Sequence, residues 1–401
     1  MKKLFLIGLG GIMASALTFG FFHIPRNTVS IFSDASNTVA TSTNGGADKE
    51  EGEHAVIPVE HVATPHIVKA VYLTAPSAGR EDKIKAVLAM QANGLNAVVI
   101  DIKDSFGMVA YDSQLDTVKQ YKLSRKFIPD LAGVVKRFHD KGIYVIARIA
   151  VFQDTAFAEA RPDLGVQDGA KLKAAGGVPS AKTLWRDNKK LAWVDPSSSE
   201  VRAYVAALSK DVLAYGFDEL NYDYIRFPSD GTLSNVGYPI TVQGASHVEA
   251  IKSFMQFLRQ QMKGITISAD MFGFTMIKTE DIGIGQMAED AYASFDYVSP
   301  MVYPSHYPTG FMGYKNPADH PYEVVNDSMQ KGQARLDALT ASSTAPTAKL
   351  RPWLQDFNLG ATYDAAMIDE QIKATKDALG EKYAGYMLWN PSSAYTNGGI
   401  Q

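Results

Sequence analysis

The sequence predicts an α/β protein built on a closed (β/α)8 barrel, the TIM-barrel architecture, preceded by an N-terminal hydrophobic segment and a flexible linker. Three observations predict it. From Ile67 onward, eight short apolar segments alternate with stretches of helical character. Three of those segments carry polar side chains at every second position, as strands do when one face lines a barrel lumen. The chain's 401 residues, 46% of them hydrophobic, supply enough apolar side chain for one large core. An open doubly wound sheet is the competing architecture, because periodicity does not say whether a sheet closes.

Residues 1–24 read as an export signal. Lys2 and Lys3 precede an uncharged run over 4–22, which Pro25 and Arg26 follow. Ala14-Ser15-Ala16 has the small residues of a cleavage site, yet the run is long enough to span a bilayer, so a cleaved signal peptide and a membrane anchor both remain open. In either case the lysines stay cytoplasmic and the domain is expected outside the cytoplasm, membrane-anchored or secreted. Gly8 to Gly11 lie within this run with no strand before them, which argues against a dinucleotide loop. Residues 25–66 shift to Ser, Thr, Asn, Gly and Glu and read as a disordered linker. His54, His61 and His66 fall in it without metal-ligand spacing and read as solvated.

Residues 67–401 form the expected barrel domain. Strands are predicted over 68–74, 97–104, 144–152, 217–227, 266–273, 297–304, 350–357 and 385–391, because β-branched and aromatic residues concentrate there. Helices are predicted over 82–91, 129–140, 199–215, 247–262, 322–339 and 363–379, with long loops over 153–198 and 228–246. The segment Asp218-Glu-Leu-Asn-Tyr-Asp-Tyr-Ile-Arg-Phe-Pro228 shows the alternation best. Leu220, Tyr222 and Tyr224 would face the helices, leaving Glu219, Asn221 and Asp223 toward the lumen with Asp223 nearest the C-terminal rim. The same parity turns Thr266, Ser268 and Asp270 inward, and sets Asp101 and Lys103 opposite Val98, Ile100 and Ile102.

Barrel enzymes build their sites at the C-terminal ends of the strands. Tyr72, Arg148, Tyr303, Arg351, Trp353, Gln355 and Trp389 would join the carboxylates there, and Arg226 follows Asp223 closely enough to pair with it. Carboxylates, cations and flat rings in one cleft suit sugars: rings stack on pyranose faces, charged groups bind hydroxyls, and carboxylates carry acid–base and nucleophilic work. Structural readings stand beside this one. Glu219 and Asn221 fit a polar layer filling the lumen, Trp353 and Trp389 fit core packing, and His306 fits a solvated or structural loop residue.

Composition excludes other classes. A formal net charge of −4 with no dense basic run gives no footprint for nucleic acid, and the absence of cysteine excludes disulfides and a thiol nucleophile. No ligand spacing points to a metal, and no cofactor is called for.

Six co-linear blocks carry a resemblance: "VIDIKDSFGMVAYDS", "DELNYDYIRFP", "SADMFG", "YVSPMVYPSHYP", "RPWLQDF" and "YMLWNP". From about residue 68 to 393 the chain resembles the putative glycoside hydrolase domain family, an uncharacterised bacterial group of the TIM-barrel glycosidase superfamily. The resemblance implies a glycosidase with its catalytic aspartate near the end of strand four, the position of Asp223. The family's Gln-Phe-Asp is here Asn221-Tyr222-Asp223, and the strand-five glutamate of amylase-like barrels is here Asp270. Asp223 is thus expected as nucleophile or base and Asp270 as acid. The substrate is expected to be a carbohydrate polymer or oligosaccharide, with a non-catalytic carbohydrate-binding barrel at the cell envelope as the alternative.

Overall fold

The computed structural model describes residues 61–342 and 348–396. The apolar run and the expected linker up to residue 60 lie outside the described residues. Eight strands form the barrel: β1 (Val68–Leu73), β2 (Ala97–Lys103), β3 (Tyr144–Ala150), β4 (Glu219–Asp223), β5 (Thr266–Phe272), β6 (Tyr297–Met301), β7 in two pieces (Lys349–Leu350 and Trp353–Gln355) and β8 (Gly385–Trp389). Each runs parallel to the next. β1 pairs with β2 through Val71 and Val98 and with β8 through Val68 and Gly385, so the sheet closes on itself and the open-sheet alternative falls. Gly385 opens β8 at φ 106°, where a Cβ would sit 1.9 Å from the Val68 carbonyl oxygen, so only glycine lets β8 start this close to β1.

Helices α1 (Glu81–Ala89), α2 (Leu131–His139), α3 (Ser199–Leu213), α4 (His247–Gln261), α5 (Ala288–Ser294), α6 (Pro321–Ser342) and α7 (Ala365–Leu379) fill the crossovers. Asp130, Ser198, Ser246 and Asp364 begin α2, α3, α4 and α7 by accepting a backbone N–H three residues on, which satisfies a donor the helix cannot pair itself. Val98, Ile100, Leu220, Ile267 and Ala269 turn outward and are fully buried under these helices. Each large aliphatic of this kind contributes about 1.5–3 kcal/mol on burial.

The lumen divides into two halves. Ala70, Val99, Ile146 and Met387 make one side apolar. On the other side Ser268 Oγ donates to Glu219 at 2.6 Å, while Asn221 Nδ2 donates to Ser268 Oγ at 3.0 Å and to Asp270 Oδ1 at 2.8 Å. Arg351 closes the bottom of this ladder as an ion pair with Glu219, both side chains fully buried.

Several expected boundaries shift, each for a local reason. Strand four stops at Asp223 rather than 227, because Tyr224 adopts φ 56°, a left-handed backbone that no strand continues. β7 breaks around Arg351 and Pro352, while Pro300 sits on the facing strand β6; neither proline has an N–H to lend a ladder. The short α5 was not expected, since its seven residues, about two turns, are too few to show a clear helical period. Residues 61–66, the end of the expected linker, lie against the base of the barrel. His61 Nδ1 sits 3.2 Å from Asp218 Oδ1, the Val62 N–H donates to the same oxygen at 2.9 Å, and Thr64 Oγ1 donates to the Tyr144 hydroxyl at 3.1 Å.

Candidate active site

A cleft of about 460 Å³ opens at the C-terminal ends of the strands, within the size range of small-ligand sites. Strand direction decides what it contains, because inward residues near the C-terminal end of each strand point into it. β4 delivers Asp223, β5 delivers Asp270, β3 delivers Arg148, the second piece of β7 delivers Trp353, and β8 delivers Trp389. Tyr303 and Arg226 reach it from the loops after β6 and β4.

Arg148 is the centre of the charge arrangement. Its Nη1 ion-pairs with Asp101, its Nη2 with Asp223, and its Nε lies 3.9 Å from Asp270 Oδ2. Burial works against the guanidinium charge, but Asp101 and Asp223 outweigh it and hold Arg148 above its ordinary pKa. Behind it, the Tyr72 hydroxyl donates to Asp101 at 2.5 Å, and the Tyr72 ring stacks on Trp389 with centroids 4.0 Å apart. One cation facing three carboxylates cannot neutralise them all. Burial, then the charge of Asp223, pushes the pKa of Asp270 up to about 8 against the pull of Arg148, and burial raises that of Asp101 as well, so a proton is favoured on Asp270.

The two oxygens of Asp270 are not equivalent. Oδ1 accepts the Trp353 indole N–H at 2.7 Å and the Asn221 amide at 2.8 Å. An oxygen accepting two donors leaves the proton to Oδ2, the oxygen on the Arg148 side. Arg148 Nε is itself buried without a hydrogen-bond partner among the described residues. It is therefore a donor held in reserve for Oδ2 once that oxygen ionises. Asp223, in turn, accepts the Tyr224 N–H at 2.6 Å on Oδ1 while Oδ2 takes Arg148.

The expected site residues separate into a wall and a support. Asp223, Asp270, Arg148, Arg226, Tyr303, Trp353 and Trp389 line the cleft. Tyr72 and Asp101 stand one layer behind and hold Arg148. Lys103 leaves the site altogether: the register of β2 against β3 shifts between Asp101 and Lys103, and its ammonium pairs with Asp154 at 2.8 Å. Glu219 belongs to the buried pair at the base. Gln355 does not face the cleft either; its Oε1 accepts from Ser305 at 2.8 Å and its Nε2 donates to the Phe357 carbonyl, fixing the loop that carries His306.

Two expectations are corrected. Arg226 does not pair with Asp223, a role that Arg148 takes from the adjacent strand, and Tyr224 turns to the cleft rather than toward the helices. His306, read as solvated or structural, lines the cleft, where burial and then Lys189 lower its pKa. Sequence reasoning passed over Lys189, Asp230, Phe272, Phe274 and Tyr307, which also line it. Phe272 and Phe274 bracket Gly273, whose hypothetical Cβ would lie 2.6 Å from the Met301 carbonyl oxygen. That close approach of the β5 end to β6 was the available signal for a wall at this point. Lys189 and Asp230 come from the two long loops, where periodicity gives no handle.

Residues 70–395 match a family described as "putative glycosyl hydrolase domain". No curated protein matches the chain. Among solved structures, a hypothetical protein from Ruminiclostridium thermocellum is 30% identical over 50% of this chain and 96% of its own, with a TM-score of 0.44. The glycoside hydrolase domain of PgaB (BpsB) from Bordetella bronchiseptica is 12% identical over 82% of this chain and 95% of its own, with a TM-score of 0.54. An alpha-galactosidase from Thermus thermophilus is 14% identical over 86% of this chain and 61% of its own, with a TM-score of 0.50. At 12% and 14% identity the likeness concerns the fold alone.

Proposed function

The chain belongs to the putative glycosyl hydrolase domain family, and from that membership we propose that its cleft hydrolyses glycosidic bonds through Asp223 and Asp270. The observation that carries the reading is the unequal setting of two neighbouring carboxyls: Asp223 is ion-paired to Arg148, while the pKa of Asp270 is pushed up to about 8 and favours a proton there at neutral pH. A protonated carboxyl beside an ion-paired one can supply an acid and a nucleophile at one pH.

In the proposed reaction the Asp270 Oδ2 proton passes to the glycosidic oxygen as its bond to the anomeric carbon breaks. Asp223 attacks that carbon and forms a glycosyl ester. Water then displaces Asp223, giving its proton to the Asp270 carboxylate, which Arg148 Nε steadies in between. Strand geometry supports retention of anomeric configuration. Tyr222 pairs with Ala269, so Asp223 and Asp270 are next in register on adjacent strands, whose backbones lie about 4.8 Å apart. That favours the carboxyl separation of about 5–5.5 Å that double displacement needs over the wider gap that admits a water first.

Bacterial envelope and plant polysaccharides, screened for new reducing ends, provide the test. The wild type is expected to release them from at least one glycan, and Asp223→Asn and Asp270→Asn from none. Glycan binding without turnover by the wild type would instead identify a carbohydrate-binding barrel.

A further inference from the structure

Arg226, on the wall of the cleft, is a cation without a counter-ion among the described residues. Its side chain is more than nine-tenths buried, sandwiched among the rings of Trp193, Tyr224 and Phe272 with its guanidinium carbon 4.7, 5.2 and 4.5 Å from their centroids. Nη1 donates to the Phe227 carbonyl at 3.0 Å and to Ser229 Oγ at 3.2 Å. A guanidinium has five N–H donors, so the Nε and Nη2 edge is left with no protein acceptor among the described residues. That edge is not sealed in the core, since neither nitrogen is among the buried atoms that lack a partner. Asp223, Asp230 and Asp187 act on its charge from a distance, yet none forms an ion pair with it.

Taking a charge out of water without a partner is costly, and proteins keep such a residue where something else supplies the partner. Burial pulls the Arg226 pKa below its ordinary value, and Tyr224 and Asp223 are the first groups to oppose it. Three aromatic rings fix the plane of the fork, which removes most of the entropy a flexible side chain would lose on binding. Lys189 brings a second cation to the same cleft, held there by a turn in which Asp187 Oδ1 accepts the N–H groups of Lys189 and Leu191. A hydroxyl needs neither of these charges. A planar fork beside a second cation is matched by a carboxylate.

We propose that Arg226, assisted by Lys189, recognises a carboxylate on the saccharide, making the substrate a glycan that carries acidic sugar residues beside the bond to be cleaved. This rests on the glycosidase reading and specifies its substrate class. Asp223 and Asp270 perform the chemistry, and Arg226 selects which sugar reaches them.

The test compares matched oligosaccharides, one series containing a uronic acid, one its neutral counterpart and one sulfated, by titration calorimetry with the Asp270→Asn protein and by turnover with the otherwise unaltered enzyme. The uronate series is expected to bind about tenfold or more tightly than the neutral series, as charge-assisted hydrogen bonds allow, and to lose that margin as salt is raised. Arg226→Gln, introduced in both backgrounds, should bring the two series to parity while neutral-glycan affinity stays within about twofold; Arg226→Lys should restore part of the margin. Thermal melts establish that both variants fold, and if the Gln variant does not, the comparison between Arg226→Lys and the wild type decides.

Equal affinity of the wild type for neutral and acidic series overturns the proposal, as does a margin that survives in Arg226→Gln. Preference for the sulfated over the uronate series overturns the carboxylate assignment. Equal cleavage of the neutral and uronate series, with neither affected by Arg226→Gln, overturns this inference and leaves the glycosidase reading standing. Absence of binding and turnover across all three series overturns both.

Discussion

Replacing Asp270 by Asn separates a protonated acid from a buried structural carboxylate. Asn keeps the Oδ1 acceptor for Trp353 and Asn221 and places an NH2 where the protonated Oδ2 stands, so the variant mimics the neutral form. The folded pKa of about 8 lies above the ordinary 3.8. Between those values the folded protein keeps a proton that the unfolded chain has released, so stability falls as pH rises through the window and levels off above the folded pKa. The slope from this group is about 1.4 kcal/mol per pH unit, or on the order of 2 kcal/mol between about pH 6 and pH 8 after allowing for half-titration at the upper end. The Asn variant has no such proton. Urea unfolding at the two pH values should therefore show the wild type losing on the order of 2 kcal/mol more than Asp270→Asn, with similar denaturant slopes. The alkaline limb of kcat/KM should fall near the same pKa, and the variant should lose about 10²–10⁴-fold on substrates with poor leaving groups but less on activated aryl glycosides. Parallel stability profiles would mean that Asp270 is already ionised in the folded protein, and the acid assignment would be wrong.

Asp223→Asn should lower turnover by at least about 10³-fold with glycan binding retained, measured by single-turnover kinetics and calorimetry; wild-type turnover would remove it from the reaction. Arg148→Met should cost on the order of 3–5 kcal/mol at neutral pH, because Asp101 and Asp223 lose the cation they face, and urea melts should recover part of this in acid as the carboxyls protonate. Glu219→Gln should destabilise by a similar amount, on the order of 3–5 kcal/mol, by leaving the buried Arg351 without a counter-charge, while calorimetry shows glycan affinity unchanged. The run over 4–22 is expected to carry the domain out of the cytoplasm, which fractionation of cells expressing the full chain will check; wholly cytosolic protein would refute it.

Period-two alternation made the barrel legible, and it also placed Asp223 and Asp270 at the rim, because which face a side chain takes depends only on its own strand. It did not reveal pairing partners. Arg226 is three residues from Asp223 in sequence, but the left-handed Tyr224 swings it among aromatic rings, while Arg148, from the neighbouring strand and far away in sequence, takes the carboxylate. Lys103 failed for a related reason: one irregularity in the β2–β3 register redirected it to Asp154. The loop-borne half of the wall, Lys189 and Asp230 included, follows no period at all, so only the folded chain brings it to the strand ends. His306, in the 304–307 loop, is exposed as a solvated loop residue would be, and its place beside the cleft depends on Gln355, which holds that loop from another strand.

The two prolines facing each other across β6 and β7 leave that part of the ladder with pairings at Tyr297–Lys349, Val298–Leu350 and Met301–Trp353 and a gap between. Local opening begins where backbone hydrogen bonds are fewest, so amide protons on this side should exchange with solvent earlier than those of β2 and β3. Met301 and Trp353, at the upper lip of the gap, are also cleft residues, and Trp353 holds the oxygen of Asp270. The gap in the ladder thereby lies beside Asp270, and a breathing motion there would loosen the cleft without disturbing the strands that carry Arg148 and Asp101.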